Sequence, residues 1–420
     1  MSQTMEQTDR NSNWEDNEPE KTQKSRRPPN NAFRQQRLKA WQPILTPKTV
    51  LPLFYAVGLI FALFGGLLVW NDSKVQEIII DYSQCNTTAP DCGSDGSGLA
   101  KLPEDKVSSH FKNTTSPADA AKWCKYRKPV EYGLIQKVSV STSVCRVQFF
   151  LPDDMHPPVL LYYQLTNFYQ NHRRYVQSFD QKQLAGEARD NTSIGGSDCD
   201  PLKSLEIPVQ GGGKVSKPIY PCGLIANSLF NDTFSSPVLL QTGSSANNVT
   251  YRMSNNSIAW GSDANLYGQT AYKYGDVVPP PNWALRYPEY NESFPFPKLH
   301  EWEEFQVWMR TAGLPTFSKL ALRNDADVMK RGTYQIEIYD YFPVNLYDGT
   351  KSILISTRTI MGGRNPFLGI CYIVVGGLCV LLGAVFTVTQ LVRPRKLGDH
   401  SYLSWNNDQP STATTTGRAP

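Results

Sequence analysis

The chain has 420 residues, 40% of them hydrophobic and 19% charged, with a formal net charge of +4. The averages conceal a partition, because residues 50–70 and 366–392 contain no Asp, Glu, Lys, Arg or His. In helical form the shorter of these reaches roughly 31 Å, against a bilayer hydrocarbon core of about 30 Å, which argues against a soluble cytosolic enzyme.

Residues 1–49 carry nine basic and six acidic side chains, and all six acids fall at or before Glu20. Lys21, Lys24, Arg26, Arg27, Arg34, Arg37, Lys39 and Lys48 therefore lead unopposed into the first apolar stretch, and Arg393, Arg395 and Lys396 follow the second. The positive-inside bias predicts that both termini are cytosolic and that residues 71–365 are lumenal or extracellular. The polar segment ahead of residue 50 fits an uncleaved signal anchor better than a cleaved signal peptide. The expected division is a cytosolic tail at 1–49, spans at 50–70 and 366–392, an ectodomain at 71–365 and a cytosolic tail at 393–420. The ectodomain segment carries 29 basic and 30 acidic residues, so it offers no nucleic-acid footprint.

Sequons in that segment begin at Asn71, Asn86, Asn113, Asn191, Asn231, Asn248, Asn255 and Asn291. N-glycosylation is expected at all but Asn71, which abuts the first span too closely for the transferase. Cys85, Cys92, Cys124, Cys145, Cys199 and Cys222 share the segment, an even set suited to disulfides in an oxidising compartment. Six cysteines allow 15 pairings. Proximity favours Cys199 with Cys222 and leaves the other four open, while Cys371 and Cys379 sit within the second span.

Strand-like runs occupy 145–151, 159–165, 333–339 and 352–356, and Tyr334, Ile336 and Ile338 alternate with Gln335 and Glu337. Helical signals cover 117–124, with Pro117 at a first helical position, and the Trp302, Phe305 and Met309 repeat, with Gly313 as its stop. Pro279, Pro280 and Pro281 mark an extended loop. The expectation is a membrane protein with two transmembrane helices and a large, mainly-β, antiparallel sandwich-like ectodomain, glycosylated and disulfide-bonded.

Catalytic constellations do not emerge. Residues 211–214 lack the first glycine and the Ser or Thr of a phosphate loop, and read as a turn. Asp153 and Asp154 follow Pro152 and read as a solvated turn, and the five histidines are scattered. No catalytic residue, metal or cofactor is expected. The spans carry small residues instead: Gly58, Ala62 and Gly66 every four positions in the first, Gly369, Gly376, Gly377, Gly383 and Ala384 in the second. Such stripes serve either docking of a partner helix or packing of the two spans on each other.

Several runs carry a family resemblance: N-F-Y-Q-N-H-R-R-Y at 167–175, C-G-L-I-A-N-S-L-F-N-D-T at 222–233, I-A-W-G-S-D at 258–263, V-W-M-R-T-A-G-L-P-T-F at 307–317 and T-R-T-I-M-G-G-R-N-P-F-L-G at 357–369. With R-P-P-N-N-A-F-R-Q-Q-R at 27–37 and W-Q-P from Trp41, the chain resembles the cell cycle control protein 50 family. The resemblance implies a non-catalytic accessory beta subunit of a type-IV P-type ATPase, a phospholipid flippase. Such a subunit supports the folding, endoplasmic reticulum export and catalytic cycle of its large partner. The implied complex is a one-to-one heterodimer among membrane lipids, in the endoplasmic reticulum, Golgi, endosome or plasma membrane. The D-K-T-G motif that the catalytic subunit carries is missing here.

The same resemblance implies Cys199 with Cys222, Cys85 with Cys145 as the outer pair, and Cys92 with Cys124 nested inside. It makes Arg27, Pro28, Pro29, Asn30, Phe33 and Trp41 candidates for cytosolic partner contact, and Gly58, Ala62, Gly66, Gly376 and Gly377 candidates within the membrane. Arg173 and Arg174 either reach acidic loops of the partner or a lipid headgroup, or form an internal ion pair, and the sequence favours the ion pair. A two-span ligand-gated cation channel or a receptor glycoprotein is the alternative architecture, although Thr387, Thr389 and Gln390 would make a poor pore.

Overall fold

The computed structural model describes residues 30–38, 45–93, 98–113, 121–209, 212–240 and 247–394. Two compact units are distinguished, Met1–Val57 with Cys379–Pro420, and Gly58–Leu378. The apolar stretches form helices Pro47–Asp72 and Pro366–Val392, both long and apolar enough to cross a membrane. The first starts at Pro47, where the missing N–H costs nothing, and Thr49 Oγ1 accepts a bond from the Thr46 amide one residue before it. Pro366 opens the second behind Asn365, whose side-chain oxygen accepts from the Phe367 amide at 3.3 Å.

The described residues between the helices contain fourteen strands: β1 Glu77–Asp81, β2 Ala100–Lys101, β3 Val107–His110, β4 Lys122–Tyr132, β5 Val138–Leu151, β6 Val159–Leu165, β7 Ser204–Val209, β8 Gly213–Pro218, β9 Thr233–Phe234, β10 Val238–Leu240, β11 Val249–Thr250, β12 Phe317–Asn324, β13 Gly332–Asp340 and β14 Lys351–Thr357. One sheet runs β12-β6-β14-β1-β3, and a second runs β11-β10-β13-β5-β4-β2 with β9 beside β13. Every pairing between these strands is antiparallel. The hairpin β7–β8 stands apart and includes Gly213 and Lys214 of the glycine-rich turn.

The two sheets share one hydrophobic core. Ile78 and Ile80 of β1, Leu161 and Tyr163 of β6, and Ile353 and Ile355 of β14 join Val147 and Phe149 of β5 and Ile336 and Ile338 of β13. The expected alternation on β13 is present: Tyr334, Ile336 and Ile338 are buried, while Gln335 and Glu337 face outward to Gln148 and Arg146, each at 3.0 Å, on the paired strand. β6 and β12 are sheet neighbours, yet residues 166–316 intervene between them. That excursion holds most of the short helices, the hairpin β7–β8 and five of the sequons.

Three local expectations change. Lys122, Trp123 and Cys124 are strand, not helix, because β4 pairs with β5 over its whole length and Trp123 is buried; 114–120 lie outside the described residues. Pro281–Trp283 is a 3-10 turn rather than extended loop, with the Trp283 indole donating to the Ala226 carbonyl at 2.9 Å. The helix Glu303–Met309 stops short of Gly313, since buried Lys319 donates to the carbonyls of Val307, Trp308 and Arg310 at 2.6–3.0 Å and takes up its orphaned C-terminal acceptors. Burial pulls the Lys319 ammonium down to about 7, while the three carbonyls favour its charged form.

Candidate partner interface

The membrane end of the larger unit is set by one strand pairing. β1 begins shortly after the first apolar helix and β14 ends shortly before the second, and the two are antiparallel neighbours with Glu77 opposite Ser356. The junction is pinned further: Gln76 and Thr357 exchange backbone and side-chain bonds at 3.0 Å, Asn71 Nδ2 donates to Thr359 at 2.8 Å, and Asp72 accepts from the Asn365 amide at 2.6 Å. Within this unit the helices approach backbone to backbone. A Cβ added at Gly65 would lie 2.9 Å from the Gly369 carbonyl oxygen, and one at Gly376 would lie 2.9 Å from that of Gly58 and 3.0 Å from the Ala62 amide.

The small residues of the two helices divide between two faces. Gly66 and Gly377 have open space where a Cβ would stand, and Gly65 is the buried residue. The reason is helical phase: seven residues return within about 20° of the starting face, whereas eight residues overshoot by about 80°. Gly65, which the four-residue spacing overlooked, carries the contact together with Gly58, Ala62, Gly369 and Gly376. In the smaller unit, Tyr55 packs at Gly383 and its hydroxyl lies 3.2 Å from Thr387 Oγ1, which donates to the Gly383 carbonyl at 2.7 Å. The N-terminal motif forms a helical turn there. Asn31 accepts from the Arg34 amide at 2.8 Å, Arg37 donates to Asn30 Oδ1 at 2.7 Å, and Phe33 is left 75% exposed. Arg27, Pro28, Pro29 and Trp41 lie outside the described residues.

Four motifs far apart in sequence converge on buried Trp308 in the ectodomain. Phe168 packs on it at 5.6 Å between ring centres, and Trp308 donates to the Ile225 carbonyl at 2.8 Å. Gln170 accepts from Ala312, Asn171 donates to the Gly313 carbonyl, and Asp263 holds Arg310 through two bonds of 2.6 and 2.8 Å. Arg173 and Arg174 sit beside this cluster on a five-residue helix; both are exposed and neither forms an ion pair with a described residue. The internal ion pair favoured from sequence is therefore not formed among the described residues.

A second cluster joins the two sheets. The Lys351 ammonium, 1% exposed, lies 2.7 Å from Asp232, 2.6 Å from Asp340 and 2.7 Å from the Phe342 carbonyl. Asp232 also accepts from the Tyr82 hydroxyl at 2.9 Å and from the Tyr341 and Phe342 amides at 2.6 Å. Burial pulls Lys351 down, but the two carboxylates outweigh it and hold the ammonium above the ordinary lysine value. Burial raises Asp340 against the opposing pull of Lys351, and it raises Tyr82 well above the usual phenol range. No motif in the sequence marks this cluster, although the lysine that opens the apolar run of β14 is a usable signal. The cysteines pair as Cys85–Cys145, Cys92–Cys124 and Cys199–Cys222.

Comparison with known proteins places this architecture. The LEM3 (ligand-effect modulator 3) family / CDC50 family model matches residues 68–396. The chain belongs to the CDC50 family. Among its CDC50 relatives, the phospholipid-transporting ATPase accessory subunit CDC50 of Chaetomium thermophilum is 43% identical over 92% of both chains. The accessory subunit CRF1 of Saccharomyces cerevisiae is 39% identical over 92% of this chain and 91% of its own. Cell cycle control protein 50A of Bos taurus is 37% identical over 87% and 90%.

The ectodomain presents its sequons unevenly. Asn86, Asn113, Asn191, Asn231, Asn248 and Asn255 are exposed, and Asn291 is half-buried. Several of these amides are engaged: Asn113 donates to Asp153, Asn191 to the Ser216 carbonyl, Asn255 to Glu304 and Asn291 to Glu289, while Asn86 accepts from Ser143. Among the described residues no group of His, Cys, Asp and Glu side chains is arranged to hold a metal.

Proposed function

We propose that this chain is the non-catalytic accessory beta subunit of a phospholipid-transporting type-IV P-type ATPase. The observation that carries the reading is family membership over nearly the whole length, with relatives named as accessory subunits of such ATPases across 92% of both chains. The chain is an integral membrane protein with both termini cytosolic and residues 71–365 lumenal or extracellular. It binds one large ATPase subunit and serves that subunit's folding, exit from the endoplasmic reticulum and catalytic cycle, acting in the Golgi, endosome or plasma membrane. Thr387 hydrogen-bonds within its own helix and sits beside Tyr55, an arrangement of a packed contact rather than a pore lining.

Within the membrane, Gly58, Ala62, Gly65, Gly369 and Gly376 serve the chain's own helix contact, which leaves the Gly66 and Gly377 faces for the partner. Arg173, Arg174, Asn30 and Phe33 supply exposed contacts on the two sides, with the 27–29 segment and Trp41 completing the cytosolic one. N-glycans occupy ectodomain sequons. Leucine at two adjacent positions tests the membrane assignment. Gly376→Leu drives a side chain into the backbone at Gly58 and Ala62, so the chain itself is expected to fail in assembly. Gly377→Leu meets only open space in the chain. It should accumulate normally yet capture severalfold less ATPase in detergent pull-downs; undiminished capture would assign that face to lipid.

A further inference from the structure

Strand β14 does not run straight into the second apolar helix. Past Thr357 the chain closes a tight two-residue turn: the Thr359 amide donates to the Gly362 carbonyl at 2.9 Å, and the Gly362 amide donates back to the Thr359 carbonyl at 3.0 Å. Gly362 sits at φ +108°, backbone that favours glycine. The tip is Ile360 and Met361, 103% and 65% exposed. Two large apolar side chains held at the point of a closed turn are unfavourable in water and mark a contact surface.

The helices fix the level of this turn. Asn71, in the last turn of the first helix, donates to Thr359 Oγ1 at 2.8 Å, and Pro366 opens the second helix four residues after Gly362. Exposed Trp70 belongs to the same level, where tryptophan favours the boundary between acyl chains and headgroups, and Lys74 Nζ lies 3.4 Å from its ring centre. Two arginines flank the turn. Arg358 is exposed and makes no hydrogen bond or ion pair with a described residue, while Arg364 is exposed and its ion pair with Glu77 is long, at 3.9 Å. Gly362 and Gly363 have open space around them, so no other described element covers this side of the turn. We propose that the 359–362 turn dips into the bilayer leaflet on the ectodomain side, with Ile360 and Met361 at the acyl chains and Arg358 and Arg364 on phospholipid phosphates. Apolar tip and guanidinium flanks match the two layers of that leaflet: burial of the tip gives the attraction, and bidentate donation to phosphate sets its depth. The inference rests on the two helices crossing the bilayer.

The test is site-specific photo-crosslinking in the full chain, purified with its captured membrane partner and placed in nanodiscs of equal parts phosphatidylcholine and phosphate-free digalactosyldiacylglycerol. Benzoylphenylalanine replaces Ile360, Leu134 or Phe367, one at a time, and adducts are identified by mass spectrometry. Phe367, in the first turn of the second helix, is the lipid-facing reference. Leu134 is exposed and apolar but lies at the opposite end of the ectodomain, because it precedes the start of β5, whose far end leads to Val159 beside Thr357. Position 360 should give lipid adducts at least about tenfold above position 134. Relative to position 367, those adducts should favour phosphatidylcholine by about threefold, a preference that Arg358→Gln with Arg364→Gln removes. Adducts from position 360 to the partner protein in place of lipid would overturn the inference and assign the turn to the partner. Lipid adducts at 367 with none at 360 would overturn it alone, and adducts at 360 without the phosphate preference would overturn the arginine assignment. No lipid adduct at either position would overturn the membrane-spanning reading as well.

Discussion

Lys351→Met is expected to cost the ectodomain about 3–5 kcal/mol, the typical loss when one member of a buried ion cluster is removed and its partners stay. Lys351 is 1% exposed, and its ammonium is the cation within 3 Å of both Asp232 and Asp340. Methionine fills comparable space but leaves two carboxylates buried beside each other and the Phe342 carbonyl without its donor. Because Asp232 also fixes Tyr82 and the amides of Tyr341 and Phe342, the damage reaches both sheets. The measurement is thermal unfolding of the purified full chain, with cell-surface or post-Golgi accumulation as a second readout. Adding Asp232→Asn and Asp340→Asn to Lys351→Met should recover much of the loss; a single variant within about 1 kcal/mol of the parent would refute the account. The pH sign follows from the raised lysine. Its folded value exceeds its unfolded one, so its stabilisation is complete below the ordinary lysine range and is lost only as pH climbs through the raised value. The cluster should therefore hold at neutral and mildly alkaline pH.

Replacing Cys85 and Cys145 together by alanine is expected to remove about 2–5 kcal/mol and to exceed the effect of removing Cys92 and Cys124. Loop length alone does not separate them: separations of 60 and 32 residues differ by about one doubling, worth roughly 0.6 kcal/mol. Position does. Cys85 follows β1 of the sheet that continues into the membrane helices, and Cys145 lies inside β5 of the other sheet, both fully buried. Their bond ties the membrane-anchored sheet to its partner sheet, whereas Cys92–Cys124 fastens a loop to strand β4. Thermal midpoints of the two double variants decide the matter, and equal midpoints would contradict the ranking.

Local signals in the sequence located most of what has a short period. Alternation at 334–338 placed β13, uncharged runs placed both apolar helices, and sequon and cysteine positions marked one segment as distinct. The failures have a common physical origin in distant partners. Residues 122–124 read as helix after Pro117, but pairing with β5 and burial of Trp123 override that propensity. Gly65 was overlooked because a four-residue repeat drifts around a helix while a seven-residue repeat does not. The salt cluster joins Tyr82, Asp232, Asp340 and Lys351 across the chain, and no window of sequence contains it. The convergence of four motif blocks on Trp308 is likewise a product of the 166–316 excursion returning to the edge of its own sheet.

We propose for this CDC50-family chain the role of accessory subunit of a lipid-transporting ATPase. Its most direct test is purification of the tagged full chain from native membranes in mild detergent, with absolute quantification of every co-purifying protein by mass spectrometry. The expected result is one large subunit bearing the D-K-T-G motif for each copy of this chain. Recovery of the chain alone, or as a homotrimer, would contradict it.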